Sequence, residues 1–382
     1  MNWNWQRPDW PKFSWRQSRL RRAEERFLLE AGTLAGALKH ISPSDRQQVA
    51  IQAIGTEAVT TSEIEGETLD RASVQSSIRR QLGLATDRRK IGRAEEGISR
   101  MMVDFYRTFA RPLSNAMLFS WHRLIFEGRG MADIGRYRTG AEPMEIVSGP
   151  VGKRRVHFEA PPTSRAAKEM TRFIDWFNRG APAGADPLPA LTRAGIAHLY
   201  FESIHPFEDG NGRIGRSIAE KALAQAFGQP PLTALAATIL LRRKAYYEAL
   251  AAASKSNEIT AWLAWFAGIV IEAQRRAAAQ VEFILDKSRL LDRLRGQLNP
   301  RQEKVLLRML REGPEGFKGG LSAGNYATIT EASPATTTRD LAGLVDQGAL
   351  TREGELRYAR YRLAIPLRTV SPVKIDARGN LN

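Results

Sequence analysis

The sequence predicts a mainly helical protein with one β-hairpin near its middle and a helix–helix–helix–hairpin unit towards its C-terminal end. Three observations carry this. Apolar residues recur at threes and fours through most of the chain, the spacing of helices with one buried face. Residues 143–159 break that rhythm and read as two short strands around a Ser-Gly-Pro-Val-Gly turn. After Leu298-Asn299-Pro300, three short helical stretches precede two strand-like ones.

With 382 residues the chain has room for two or three domains. Its formal net charge of +16 favours acidic partners such as nucleic acid, polyphosphates or anionic surfaces. An arginine-rich composition inherited from a GC-rich genome explains the same charge equally well. The absence of cysteine excludes disulfides, thiolate zinc sites and cysteine nucleophiles. No apolar run has membrane-spanning length, and the first ten residues are polar and aromatic rather than a secretory core. The expectation is a cytoplasmic enzyme without a membrane partner.

Residues 1–90 are expected to form a Trp-rich helical region. Trp3, Trp5, Trp10 and Trp15, with Pro8 and Pro11 between them, read as an ordered arm packed on a partner surface, because so many exposed indoles are unusual. Leu20, Phe27, Leu28, Ala31, Leu34 and Leu38 predict a helix over about 18–41. Ser42-Pro43-Ser44-Asp45 breaks the chain and caps a second helix over about 45–65; a third covers about 70–83.

Residues 91–276 form the next domain, helical apart from the hairpin and a loop at 179–187. A helix over about 189–204 leads into residues 205–216, and another over about 213–227 leaves them, ending before Gly228 and Pro230-Pro231. Residues 277–297 read as a linker helix. Residues 298–366, with helices at 301–312, 325–331 and 334–346 and two strands before 363, have the order of a winged helix. The segment 367–382 reads as a mobile tail. No internal repeat is present.

Residues 205–216 read His-Pro-Phe-Glu-Asp-Gly-Asn-Gly-Arg-Ile-Gly-Arg. His205 is a candidate general base and Asp209 a candidate Mg²⁺ ligand. Gly210 and Gly212 lack Cβ, so the backbone can turn its N–H groups onto a ligand. The positive end of the exit helix points to the same spot. Arg213 and Arg216, three apart in the first turn, share a face. Two cations at a helix N-terminus oppose its dipole, and an anion between them resolves that conflict. Phe207 reads as a core anchor. A structural turn would explain an isolated Gly-x-Gly, but not all twelve residues.

This stretch resembles the signature of the Fic family, His-x-Phe-x-(Asp/Glu)-Gly-Asn-Gly-Arg-x-x-Arg, at every defining position. The resemblance covers roughly residues 90–275 and implies an all-helical Fic core with the hairpin as its flap. It implies catalytic roles for His205 and Asn211. His205 would deprotonate a Ser, Thr or Tyr hydroxyl of a target protein, which attacks the α-phosphate of ATP, leaving AMP on the target. Asp209 would hold Mg²⁺. Asn211 and neighbouring N–H groups, including those of Gly210 and Gly212, would stabilise the α-phosphate charge, Arg213 would grip the β-phosphate and Arg216 the γ-phosphate. The flap edge, at Glu145, Ile146 and Val147, would pair with an extended target segment.

Thr61-Ser62-Glu63-Ile64-Glu65-Gly66-Glu67 resembles the family's inhibitory motif, (Ser/Thr)-x-x-x-Glu-(Gly/Asn). Thr61 and Glu65 lie on one helix face, and Gly66 suits a helix end. By that likeness Glu65 would pair with Arg216 and fill the place of the γ-phosphate; taken alone, the stretch reads as a solvated acidic helix end. Three alternatives stay open: removal of AMP at the same site, with Glu65 positioning water; a DNA-binding, nucleotide-sensing regulator of toxin–antitoxin type; and another donor such as UTP or a choline-bearing nucleotide. The 334–346 helix, with Arg339 outward and Arg352, Arg357, Arg360 and Arg362 on the strands beyond, suits DNA binding or an interaction surface, including a homodimer. The target protein is unassigned.

Overall fold

The computed structural model describes residues 3–39, 41–84, 89–126, 133–140, 142–148, 155–230, 233–313 and 316–382. It divides into two compact units, Met1–Lys39, Ala50–Ala277 and Ser371–Asn382 in the first, His40–Val49 and Ala278–Val370 in the second. The chain is mainly helical, as the periodicity predicts. It runs α1 (Arg21–Lys39), α2 (Pro43–Ile64), α3 (Arg71–Gln81), α4 (Arg93–Thr108), α5 (Asn115–Phe126), strands β1 (Glu145–Ser148) and β2 (Arg155–Glu159), α6 (Thr163–Arg179), α7 (Ala190–Ile204), α8 (Asn211–Phe227), α9 (Leu235–Leu241), α10 (Arg243–Ala253) and α11 (Thr260–Arg293). The turn expected between the strands falls mostly outside the described residues.

The first unit is organised around α7, which is buried on every face except at Glu202. A helix apolar all round belongs in an interior, and α8 doubles back along it. Pro189 leaves the start of α7 without a side-chain cap of its own. Glu24 of α1 supplies one, accepting from the Leu191 and Thr192 N–H groups at 2.9 and 2.8 Å, where a carboxylate also meets the positive helix end. Buried cations do the reverse at carboxyl ends. Arg193 donates to Phe177 O at the end of α6 at 2.9 Å, and Lys221 to Thr108 O and Phe109 O at the end of α4 at 3.0 and 2.8 Å.

Three sequence expectations change. The tryptophan arm packs within its own chain, with Trp3 and Trp5 buried; indole burial is legible in a sequence, but its partner is not. The linker helix expected at 277–297 is the second half of a longer helix, because α11 runs unbroken through 260–293 without proline and with Gly268 as its one glycine. The segment expected to be mobile is packed over 371–382. Val373 and Ile375 are buried, and a Cβ on Gly268 would stand 2.7 Å from Val373 O. Val373-Lys374-Ile375-Asp376 alternates apolar and polar residues, but over too few positions to signal burial by itself.

The second unit contains α12 (Pro300–Arg311), α13 (Ala323–Thr330), α14 (Pro334–Asp346) and an antiparallel pair, β3 (Leu350–Glu353) with β4 (Arg360–Leu363). Asn299, Ser322 and Ser333 cap the three helices. Buried Asp340 accepts from Asn299, Arg301 and Tyr326, which ties α12 and α13 to α14. Arg339 is exposed beside it. No helix among the described residues is long and apolar enough to cross a membrane.

Deleting residues 371–382 should destabilise the first unit by about 3 kcal/mol, the burial of two aliphatic side chains. Thermal unfolding checks this, and an unchanged midpoint would mean the tail packs loosely.

Candidate active site

The twelve-residue stretch forms the tight connection from α7 to α8. His205 closes α7 in the left-handed conformation, φ 49° and ψ 60°, a strained backbone for a residue with a Cβ. Arg138 fastens it through both its side chain and its backbone. Arg138, nearly fully buried, donates from Nε to His205 O at 2.9 Å and from its other nitrogens to Thr163 Oγ1 and Pro161 O. The Arg138 N–H donates to Pro206 O at 2.9 Å.

His122 of α5 fixes the far side of the loop. Its Nδ1 accepts from the Gly135 N–H at 2.9 Å, so Nε2 carries the proton and donates to Asp209 O at 3.2 Å. The ring stacks on Phe207 at 4.4 Å, and Phe207 is fully buried, the anchor expected of it. Burial pushes the His122 pKa down to about 4, so it stays neutral and keeps both bonds.

Asn211 serves the loop. Its Oδ1 accepts from the Phe207 N–H at 3.0 Å, and its Nδ2 donates to Phe207 O at 2.8 Å. Oδ1 and one Nδ2 hydrogen thus hold the turn, which leaves the second Nδ2 hydrogen and the backbone N–H groups of the helix start as donors for an anion. This staple, with Gly210 at φ 80°, lets α8 begin at Asn211, two residues earlier than expected. Arg216 consequently sits in the second turn. Gly210 must lack a side chain, since a Cβ there would stand 2.7 Å from the Phe126 ring.

Both arginines are buried and both are held by the end of α2. Arg216 Nη2 pairs with Glu65 Oε1 at 2.7 Å, while Nε and Nη2 donate to Thr61 Oγ1 and Thr61 O at 2.8 and 2.9 Å. Arg213 Nη1 pairs with Glu67 Oε2 at 2.9 Å, and its guanidinium lies 4.9 Å from the Phe126 ring centre. Gly66, at φ 84°, makes this double grip geometrically available. The N–H groups of Glu65 and Glu67 both donate to Ser62 O, at 3.1 and 3.0 Å. The Glu65 carboxylate rests against the start of α8; a Cβ on Gly212 would lie 2.2 Å from its Oε1.

His205 is 9% exposed, and burial with the nearby Arg138 charge pushes its pKa down to about 4. Its Nδ1 stands 3.8 Å from a carboxyl oxygen of Glu202, whose own pKa burial and the neighbouring Glu65 raise to about 8. At neutral pH the imidazole is an uncharged base beside an uncharged acid. Asp209 is the open group of the set, with 59% of its side chain exposed. Among the described residues no three His, Cys, Asp or Glu side chains converge as a metal cage. A lone exposed carboxylate fits Mg²⁺, which takes one or two carboxylates and completes its shell with phosphate oxygens and water.

The hairpin is a two-stranded antiparallel ladder, with Glu145 opposite Glu159, Ile146 opposite Phe158 and Val147 opposite Val156, and a bulge between Ile146 and Val147. Ile146 and Val156 are exposed. Sequence reasoning missed four residues of this site: His122, Arg138, Glu67 and Glu202. Only Glu67 carried a signal, as a second acid across Gly66 from Glu65.

Residues 112–223 match the Fic/DOC family, and residues 3–84 match DUF4172, a domain of unknown function. A 115-residue stretch is 26% identical to protein adenylyltransferase fic-1 of Caenorhabditis elegans, covering 30% of this chain and 20% of that protein. A 63-residue stretch is 40% identical to protein adenylyltransferase Fic of Drosophila willistoni, covering 16% of this chain and 12% of that one. The matched stretches are thus small parts of those relatives. A Fic family protein from Desulfovibrio desulfuricans shares the fold, with a TM-score of 0.50 at 22% identity over 89% of this chain and 95% of that chain. With the complete 205–216 stretch at the junction of two buried helices, these similarities support a Fic family protein, the Fic/DOC match itself covering residues 112–223.

Proposed function

We propose that the protein is a self-inhibited protein adenylyltransferase, moving AMP from ATP to a protein hydroxyl. One observation carries the reading. A neutral buried histidine stands beside a helix start at which two buried arginines are both occupied by carboxylates. Carboxylates in that place are intramolecular substitutes for phosphate oxygens, since both are oxyanions that guanidinium groups bind in the same way.

The reaction follows from the groups present. The target hydroxyl loses its proton to His205 as its oxygen bonds to the α-phosphorus. The bond from that phosphorus to the β-bridging oxygen breaks, and pyrophosphate leaves. Arg213 and Arg216 neutralise the charge on the departing phosphates, and the N–H groups at the start of α8 do so at the α-phosphate. Asp209 is the residue that would hold Mg²⁺, and the ion supplies neutralisation of phosphate charge. Arg138 and Asn211 act by fixing the loop, so that these donors are in place before ATP arrives.

Inhibition follows from competition. While Glu65 holds Arg216 and Glu67 holds Arg213, neither guanidinium is available to pyrophosphate. Each pair is a charge-assisted bond between a buried guanidinium and a carboxylate that stays partly open to water, with side-chain exposures of 28% for Glu65 and 24% for Glu67.

Glu65→Gly should raise AMP labelling of lysate proteins by about tenfold to a hundredfold, and Glu67→Gln by a smaller factor; radiolabelled ATP reads both, and unchanged labelling in both variants would remove self-inhibition. In the Glu65→Gly background, His205→Ala should cut transfer by about 10²- to 10⁴-fold with ATP affinity held. Loss of ATP binding as well would mark His205 as structural. The acid limb of kcat/KM should fall near pH 4 rather than near the ordinary histidine value, because the base is neutral above its depressed pKa of about 4 and is lost only as pH drops through it. A limb near 6.5, the unperturbed value, would mean a solvated base.

A further inference from the structure

Among the described residues the hairpin has no hydrophobic floor in the main core. Its inner residues form a separate cluster in which Phe158 and Ala160 pack with Trp3 and Trp5, and Trp10 and Met144 lie against them. An isolated two-stranded hairpin is marginal in water, so its position is set by what it packs on.

That floor is the N-terminal arm, and the arm is anchored beside the histidine. Trp3 meets Phe158 edge to face, with centroids 5.4 Å apart. Trp5 Nε1 donates to Glu159 O at 2.6 Å. Between the two indoles, Asn4 is fully buried and reaches the other way. Its Nδ2 donates to Ser203 Oγ at 2.8 Å, two residues before His205, and its N–H donates to Ser254 O at 2.6 Å. Three consecutive residues thus fasten β2 on one side and the end of α7 on the other. Arg138 closes the frame by bonding both Pro161 O, just past β2, and His205 O.

We propose that the N-terminal arm belongs to the acceptor side of the active site. Trp3, Asn4 and Trp5 are positioning residues that hold the hairpin in register with His205, so that a protein segment paired along the hairpin brings its hydroxyl to the base. The proposal rests on the adenylyl-transfer reading, and gives a role to the region that matches a domain of unknown function. The arm bears on the acceptor, whereas the arginines bear on the nucleotide; damage to the arm therefore separates the two half-sites.

The test uses the full chain carrying Glu65→Gly, with Trp5→Phe or Asn4→Ala added. Trp5→Phe keeps an aromatic ring but removes the donor to Glu159 and part of the buried indole; Asn4→Ala cuts the link to Ser203. Amide exchange in β2 should quicken by about fivefold, the factor for about 1 kcal/mol of lost hydrogen bonding, while exchange in α8 stays constant. Protein labelling should fall by about tenfold or more, with ATP affinity within about twofold of the parent. Unchanged exchange in β2, unchanged labelling, or a parallel fall in labelling and ATP affinity would each overturn the proposal. A Glu65→Gly parent that labels nothing would sink the transfer reading itself, a failure that the exchange measurement keeps apart from that of the arm.

Discussion

Two guanidinium groups buried at the start of α8 set the terms for the rest of the site. A buried charge is costly unless paired and hydrogen-bonded, so Arg213 and Arg216 require oxyanion partners at all times. Glu65, Glu67 and the Thr61 oxygens meet that requirement within the chain. A polyphosphate would meet it equally well. On the proposed reading the same electrostatic need would serve both a ligand site and a contact that competes for it; Gly66 at φ 84° shapes the contact seen here.

Around that charged centre the protein keeps four buried groups neutral. His122 and His205 are held near pKa 4, His198 near 3, and Glu202 is raised to about 8. Burial is the leading cause in each case. A neutral histidine can accept a proton at neutral pH without itself needing a counter-charge, and His122 can accept one hydrogen bond and donate another in a fixed tautomer. Low dielectric also strengthens each charge-assisted contact that remains. The left-handed backbone at His205 is the conformational cost of turning from α7 to α8 in so few residues, borne by Arg138, His122 and Asn211 together.

The accessory elements each hold part of this centre in place. The segment just past α2 supplies the carboxylates that hold Arg213 and Arg216, the N-terminal arm supplies the floor of the hairpin, and Glu24 of α1 caps the helix that ends in His205. All three lie in residues 3–84, ahead of the stretch that matches the Fic/DOC family. Their positions in sequence are remote from their partners; Thr61 and Arg216 are 155 residues apart.

What the sequence by itself determined is local. Helical period, the break and cap at Ser42-Pro43-Ser44-Asp45, the hairpin and the anion-suited loop all depend on backbone geometry and neighbours within a turn or two, so composition and spacing reveal them. The family resemblance added the pairing of Glu65 with Arg216, which spacing alone left as a solvated helix end. Only the tertiary structure decided that Asn211 staples the loop, that Glu67 takes Arg213, that Arg138 and His122 fasten His205, and that the tryptophans and the last twelve residues pack within the chain. These choices depend on which surfaces meet after folding. A buried polar group must find whichever partner the packing brings near, and that partner leaves no periodic trace in the order of the residues.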